Sequence, residues 1–476
     1  MPSRSRTSAA CVFVLLLCSA ANAQIPEQDI RNTNTPETNT HFAMAHYMTL
    51  AQWETRKAHL RQQILAAAGL FPLLDRTPLH PKIFGHIERN GYSIEKVLLE
   101  TLPGYYLGGN LFRPNGRSGK FPAILKAHGH WAYGRLQNDE VASNPSFGIN
   151  MARQGYVVFA WDMVGYNDTI QTPHAFGNAV EQLWSFTPLG LQLWNSMRVL
   201  DFVSSLDDVD PARVGMAGAS GGGTQTFLLA AVDDRLQYAA PSNMVSFIMQ
   251  GGDTCENSPG LRLGTNNVEI AAMFAPKPML MMAATGDWTR NMLKEELPAI
   301  REIYKLYGKP ENVQSFMLDA PHNFNKQNRE SVYRFFGKQI LNKPDGTSFE
   351  EKNTRIEMLQ DMLALEGRTL NENALPYDQI FAEWKDMAVR QRQTAKPVEL
   401  KRRLQAVLAV EWPDKVLSKK NGESIVLGRP GVGDRVPGMW FPGHGESVLV
   451  VHPEGAQAAL KNAAVQDLRK TGRPVL

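Results

Sequence analysis

The chain has 476 residues, 43% hydrophobic and 20% charged, with a net charge of +3. That length suffices for two or three domains and a large buried core, and the near balance of charge argues against a nucleic-acid-binding surface. Of the three cysteines, Cys11 and Cys18 sit near the N-terminus and only Cys255 lies in the body, so a disulfide scaffold is excluded.

In chain order, residues 1–23 come first. Arg4 and Arg6 precede an apolar run from about Cys11 to Cys18, and small residues end at Ala23. This layout predicts a cleavable export signal and a secreted or periplasmic protein. Cleavage after Ala23 would remove two arginines and no acid. The apolar run is too short to span a bilayer, and no later stretch is long enough, so no membrane association is expected after cleavage. A lipid anchor at Cys18 is disfavoured because Leu15-Leu16-Leu17 lacks the small residue such processing wants.

Residues 24–90 contain the amphipathic stretch "AQWETRKAHLRQQILAAAGL", which predicts a helical segment packing on the domain C-terminal to it. Over 91–341, apolar runs alternate with helix-like segments. The runs are "SIEKVLLET", "GGNLFRP", "FPAILKAHG", "YVVFAWD", "RVGMAGA", "QYAAPSN", "PMLMMAATGD" and "VQSFMLD". The early ones alternate as antiparallel or edge strands do, and the later ones are continuous, as expected of parallel strands buried on both faces. The expected class is therefore α/β, with a mostly parallel central sheet of about eight strands flanked by helices. Thr187-Pro188 starts one helix, with Leu193, Met197, Leu200 and Val203 on its buried stripe. Residues 342–415 read as a linker of polar amphipathic helices. The last part, 416–476, ends in strand, helix and strand, and weakly echoes the earlier "KFPAILKAHGH" to "MARQGYVVFAWD". A partial second α/β unit and an unrelated appended lobe are equally compatible with that ending.

Gly218-Ala219-Ser220-Gly221-Gly222 fits G-x-S-x-G between a strand and a helix. A serine held in so sharp a turn needs neighbours without bulky side chains, and the helix start after it offers unpaired N–H donors to a developing oxyanion. The hydroxyl also needs a base, and the base needs a carboxylate to orient it. In this arrangement the order is Ser, then Asp or Glu, then His, each after a later strand. Asp287 follows "PMLMMAATG" and His322 follows "VQSFMLDAP". Among eleven histidines, His322 is the only one between Ser220 and the linker. Asp253 and Asp319 compete with Asp287, although Asp319, three residues before His322, is better suited to capping its own loop.

The loop after "FPAILKA" reads "HGHWAYGR" and is the expected source of a second oxyanion donor, the backbone N–H of His130, beside that of Gly221. His128 and His130 form an H-x-H pair that can bind metal. No further His, Asp or Glu cluster at ligand spacing accompanies it, so no metal or cofactor is expected and His128 is read as structural. Trp131, Trp184 and Trp288 lie in loops able to rim a site, with flat faces suited to sugar rings, and Arg135 and Arg290 are candidates either for meeting a substrate carboxylate or for a structural ion pair.

These pieces resemble the α/β-hydrolase superfamily, in its branch of secreted bacterial acetyl xylan esterase-like and dienelactone hydrolase-like proteins. The resemblance rests on "GNLFRP", "PAILKAHGH", "GYVVFAWDMVGYND", "DPARVGMAGASGGG", "APKPMLMMAATGDWT" and "APHNFN", across roughly residues 90–340. It implies Ser220 as nucleophile, His322 as base, Asp287 as its orienter, and the amides of Gly221 and His130 as oxyanion hole. Met163 departs from the arginine that many relatives carry in "WDMVGYND". Export and this branch together favour an ester on acylated plant polysaccharide such as xylan, acetyl or uronoyl. The last part resembles the start of a degenerate second hydrolase-like domain. A dienelactone hydrolase-like or peptidase-like serine hydrolase is the alternative enzyme, and a non-catalytic carbohydrate-binding protein with a hydrolase shell is the alternative of another class.

Overall fold

The computed structural model describes residues 24–31, 33–343, 349–352, 354–410 and 412–476, so the expected leader at 1–23 lies outside the described residues. Two compact units are present: Thr38–Val410, and a second formed by the residues before Thr38 together with those after Val410.

The first unit is built on a nine-stranded sheet. Its strands are β1 (Lys82–Arg89), β2 (Tyr92–Leu102), β3 (Tyr105–Pro114), β4 (Phe121–Ala127), β5 (Val157–Trp161), β6 (Val209–Ala219), β7 (Tyr238–Ser242), β8 (Met279–Gly286) and β9 (Val313–Pro321). They lie in the order β1-β2-β3-β5-β4-β6-β7-β8-β9. β1, β2, β3 and β5 pair antiparallel, and from β5 through β4 to β9 every pairing is parallel. All eight expected strands are present. The ninth, β1, is an edge strand whose "KIFGHIER" buries little, so its sequence carries no apolar run to announce it.

Helices cover both faces. Pro188–Ser204 starts as expected, with Thr187 Oγ1 accepting from the Gly190 N–H at 3.1 Å. Leu50–Ala67 begins in a capping box of Thr49 and Gln52 and buries Trp53, Leu60 and Ile64 in the same core as Leu193, Met197 and Phe227. On the opposite face, Lys326–Ile340 sets Tyr333 and Phe336 against Ile124, Val158 and Ala217.

Two expectations need correction. Residues 342–410 are no free linker: Ile380, Trp384 and Met387 on the helix Tyr377–Thr394 are buried in the core that holds Trp53 and Phe186. The helix expected in "NTRIEMLQDMLAL" is reduced to Leu359–Met362. There the N–H groups of Ala364 and Leu365 bond the Asp168 carboxylate at 2.8 and 2.9 Å, an alternative to helical bonding that only tertiary contact supplies.

The second unit holds an antiparallel sheet of β10 (Leu417–Asn421), β11 (Ser424–Gly428) and β12 (Val436–Met439). Beyond β12, Phe441 pairs antiparallel with Val475, and Val448 pairs parallel with Val475. Two short helices, Ala456–Ala459 and Ala463–Lys470, connect 448–450 to 474–476. The succession β10, β11, β12, 474–476, 448–450 repeats the pairing order β1-β2-β3-β5-β4 of the first sheet.

Candidate active site

β6, β8 and β9 are parallel, so their carboxyl ends lie along one edge of the sheet, where Ser220, Asp287 and His322 respectively follow them. This is where ligands bind in open α/β sheets. Ser220 has φ 57° and ψ −127°, a left-handed, strained conformation immediately before the helix Gly221–Val232. Its N–H is anchored to the Ser242 carbonyl at 3.0 Å. The surrounding glycines are enforced by contact. A Cβ on Gly218 would run into the Gly222 carbonyl, one on Gly222 would meet the carbonyls of Ala127 and His128, and one on Gly221 would lie 2.8 Å from His130 Cε1.

His322 Nδ1 and Asp287 Oδ2 are hydrogen-bonded at 2.9 Å, which leaves Nε2 for a reacting proton. Three further donors converge on the same carboxylate: Asn243 Nδ2 to Oδ2 at 2.6 Å, and the Thr289 N–H and Oγ1 to Oδ1 at 2.7 and 2.5 Å. Burial pushes the Asp287 carboxyl up, but the bonds from His322, Asn243 and Thr289 outweigh it and hold it below its ordinary value. The imidazole makes no hydrogen bond to Ser220 Oγ in this structure; such bonds commonly tighten only when substrate is bound. Asp319 bonds Thr285 at 2.5 Å and Asp253 faces His130 and His174, so neither competitor reaches His322.

The His130 ring rests over Gly221, and neither residue's N–H, the two expected oxyanion donors, has a protein acceptor among the described residues. His128 is buried and occupied at both ring nitrogens: Nδ1 bonds the Gly129 carbonyl at 2.7 Å and Nε2 accepts from the Met163 N–H at 2.9 Å. Desolvation lowers its pKa to about 3, so it is neutral.

Arg135 is not a substrate residue. Its side chain is fully buried, with Nη1 on Asp162, Nη2 on Asp168 at 2.5 Å and Nε on Asn110 at 2.8 Å. Nη2 also donates to the Met362 carbonyl at 3.2 Å, so the guanidinium is enclosed by two carboxylates, an amide and a backbone carbonyl and presents no donor to solvent. Of the tryptophans, Trp131 lies beside Gly129 and the Ser220 turn, and Trp288 stacks on His322 with ring centroids 4.6 Å apart while Nε1 bonds the Asn243 carbonyl at 2.7 Å. Trp184 is 38% exposed, and its carbonyl accepts from Trp384 Nε1. Sequence reasoning missed Asn243, which bonds both Asp287 and, through its carbonyl, Trp288. The sequence signal is an asparagine directly after the "QYAAPS" run, a residue type that tolerates the positive φ of 59° it adopts there.

Residues 91–248 match the acetyl xylan esterase (AXE1) family. YtaP of Bacillus subtilis (strain 168) is 26% identical over 256 residues, 48% of this chain and 81% of its own length. Among solved structures, the methylesterase BT1017 superposes with a TM-score of 0.62 and 29% identity, covering 73% of this chain and 78% of its own. By its strand order, its matched segment and its structural likeness, the chain has the α/β-hydrolase fold and is a serine hydrolase of carboxylic esters.

Proposed function

We propose that this protein is an exported carbohydrate esterase that removes acetyl groups from plant polysaccharide such as xylan, with Ser220, His322 and Asp287 as its triad. The observation that carries the triad is the 2.9 Å bond from His322 to Asp287 at the edge where the strained Ser220 turn also emerges. His322 Nε2 takes the Ser220 proton as Oγ attacks the ester carbonyl. The oxyanion forms against the N–H groups of Gly221 and His130. Collapse returns the proton to the leaving sugar hydroxyl and leaves an acetyl-serine. Water, deprotonated by the same imidazole, then releases acetate and restores the hydroxyl.

The matched acetyl xylan esterase segment supports an acetyl ester, and the burial of Arg135 against Asp162 and Asp168 removes one of the two cations expected to meet a substrate carboxylate, leaving the exposed Arg290. The likeness to a methylesterase favours a second reading, in which the methyl ester of a sugar acid is cleaved. Ser220→Ala should lower turnover of p-nitrophenyl acetate by on the order of 10⁶ while leaving the fold intact; an unchanged rate overturns the triad. Acetate released from acetylated xylan, against methanol released from a methyl-esterified polyuronate, decides between the two esters. The side of the membrane on which full-length protein accumulates tests export.

A further inference from the structure

Beside the Ser220 turn, three loops bring together side chains that the esterase reaction does not use. His130 follows β4, His174 follows β5, and Asp253 and Cys255 follow β7. One donor atom from each lies within 4.8 Å of all the others. His130 Nε2 is 2.9 Å from Cys255 Sγ and 3.9 Å from Asp253 Oδ2, and His174 Nε2 is 3.7 Å from Asp253 Oδ1.

The second observation concerns His174 alone. Its Nδ1 donates to the Val164 carbonyl at 2.6 Å, so in the neutral ring the lone pair is on Nε2, and that nitrogen is buried with no hydrogen-bond partner. A histidine whose outer nitrogen is fixed on a backbone carbonyl while its inner one is left bare is the arrangement of a metal ligand. A bare acceptor buried without a partner otherwise carries a desolvation penalty.

We propose that His130, His174, Asp253 and Cys255 bind a single divalent, borderline-soft transition-metal ion of the zinc class. Two imidazoles, a carboxylate and a thiolate form a tetrahedral set of the structural type, with all four positions filled by protein. Zinc bond lengths require ligand separations of roughly 3.3–3.6 Å, so the widest pairs must close by about an ångström while His130 Nε2 and Cys255 Sγ, 2.9 Å apart, must open by about half an ångström. On binding, the metal–sulfur bond forms as the thiol releases its proton to solvent, and the thiolate and the Asp253 carboxylate together balance the two positive charges. Asp253 is the most exposed of the four and marks the entry side. The ion would tie the loop carrying the His130 amide to the two loops facing it, as a structural clamp beside the reaction and not as its Lewis acid.

The site escapes a search for short ligand motifs because no two loops are near in sequence. The test uses full-length protein stripped with chelator and titrated with Co²⁺. One equivalent should produce a thiolate-to-cobalt charge-transfer band and the visible bands of tetrahedral cobalt, both removed by one equivalent of Zn²⁺. Cys255→Ser should lose the charge-transfer band, and His174→Ala should bind roughly 100-fold more weakly. Asp253→Asn, on the more exposed ligand, keeps the test open if the buried variants do not fold, and it should weaken binding as well. No band in the wild type at one equivalent, or a band unchanged in Cys255→Ser, overturns the proposal.

Discussion

The two sheets of this protein open in the same way and arrive at different ends. In the first, three antiparallel strands lead into β5 and β4, and β6 to β9 then extend the sheet with parallel strands buried under helices. In the second, β10, β11, β12, 474–476 and 448–450 repeat the opening, and the strand at 448–450 has no further strand beside it among the described residues. Leu449 and Val451 there are 69% and 83% exposed. The proposed catalytic side chains all belong to what the second sheet does not share. Ser220, Asn243, Asp287 and His322 follow β6, β7, β8 and β9, whereas the common strands contribute only an oxyanion loop in one case and "HPEG" in the other. The antiparallel opening is thus a framework that forms without a site, and the parallel extension is what gathers one.

Disabling the extension should have the largest effect. Asp287→Asn keeps the shape but presents the imidazole with the wrong partner, and kcat on p-nitrophenyl acetate should fall by on the order of 10⁴. The same carboxyl is held below its ordinary value, so its contribution to stability is present above the unfolded pKa and is lost as pH falls through the lower folded one. Below about pH 3.9 the wild type should therefore lose stability more steeply than Asp287→Asn, as read by denaturant midpoints across pH.

Arg135→Met probes how the loops that follow the opening strands are held to one another. It leaves Asp162 and Asp168 buried without their cation, and urea unfolding should show a loss of about 3–5 kcal/mol. A loss near zero would mean that the carboxylates protonate or find other partners.

The smallest expected effect on turnover lies in the second unit. A Cβ on Gly443 would strike the Gly472 carbonyl and the Arg473 backbone, so Gly443→Ala should speed hydrogen exchange over 441–450 and 474–476. Esterase kcat should stay unchanged; a clear fall would break the functional separation of the two sheets.

Local pattern sufficed for much of the fold and pointed to the proposed triad. Eight strands could be read because buried parallel strands are continuous apolar runs, and Ser220 could be read because its elbow is encoded within five residues. Asp287 and His322 followed from chain order, since the order of strands in this fold dictates which loops share an edge. The edge strand β1 stayed hidden because it buries almost nothing, and Arg135 was misread because an isolated arginine looks alike whether it faces solvent or two buried carboxylates.

By itself, the sequence determined the class of sheet, the strained serine turn and the chain order of the proposed triad, because each is written in contiguous residues or in their succession. Only the tertiary structure decided that Arg135 is bound up with Asp162 and Asp168, that Asn243 and Trp288 brace Asp287 and His322, and that His130, His174, Asp253 and Cys255 converge. The physical reason is common to all three: burial and the hydrogen bonds made in it depend on which loops meet at the edge of the sheet, and that meeting is a property of the packed chain rather than of any local stretch.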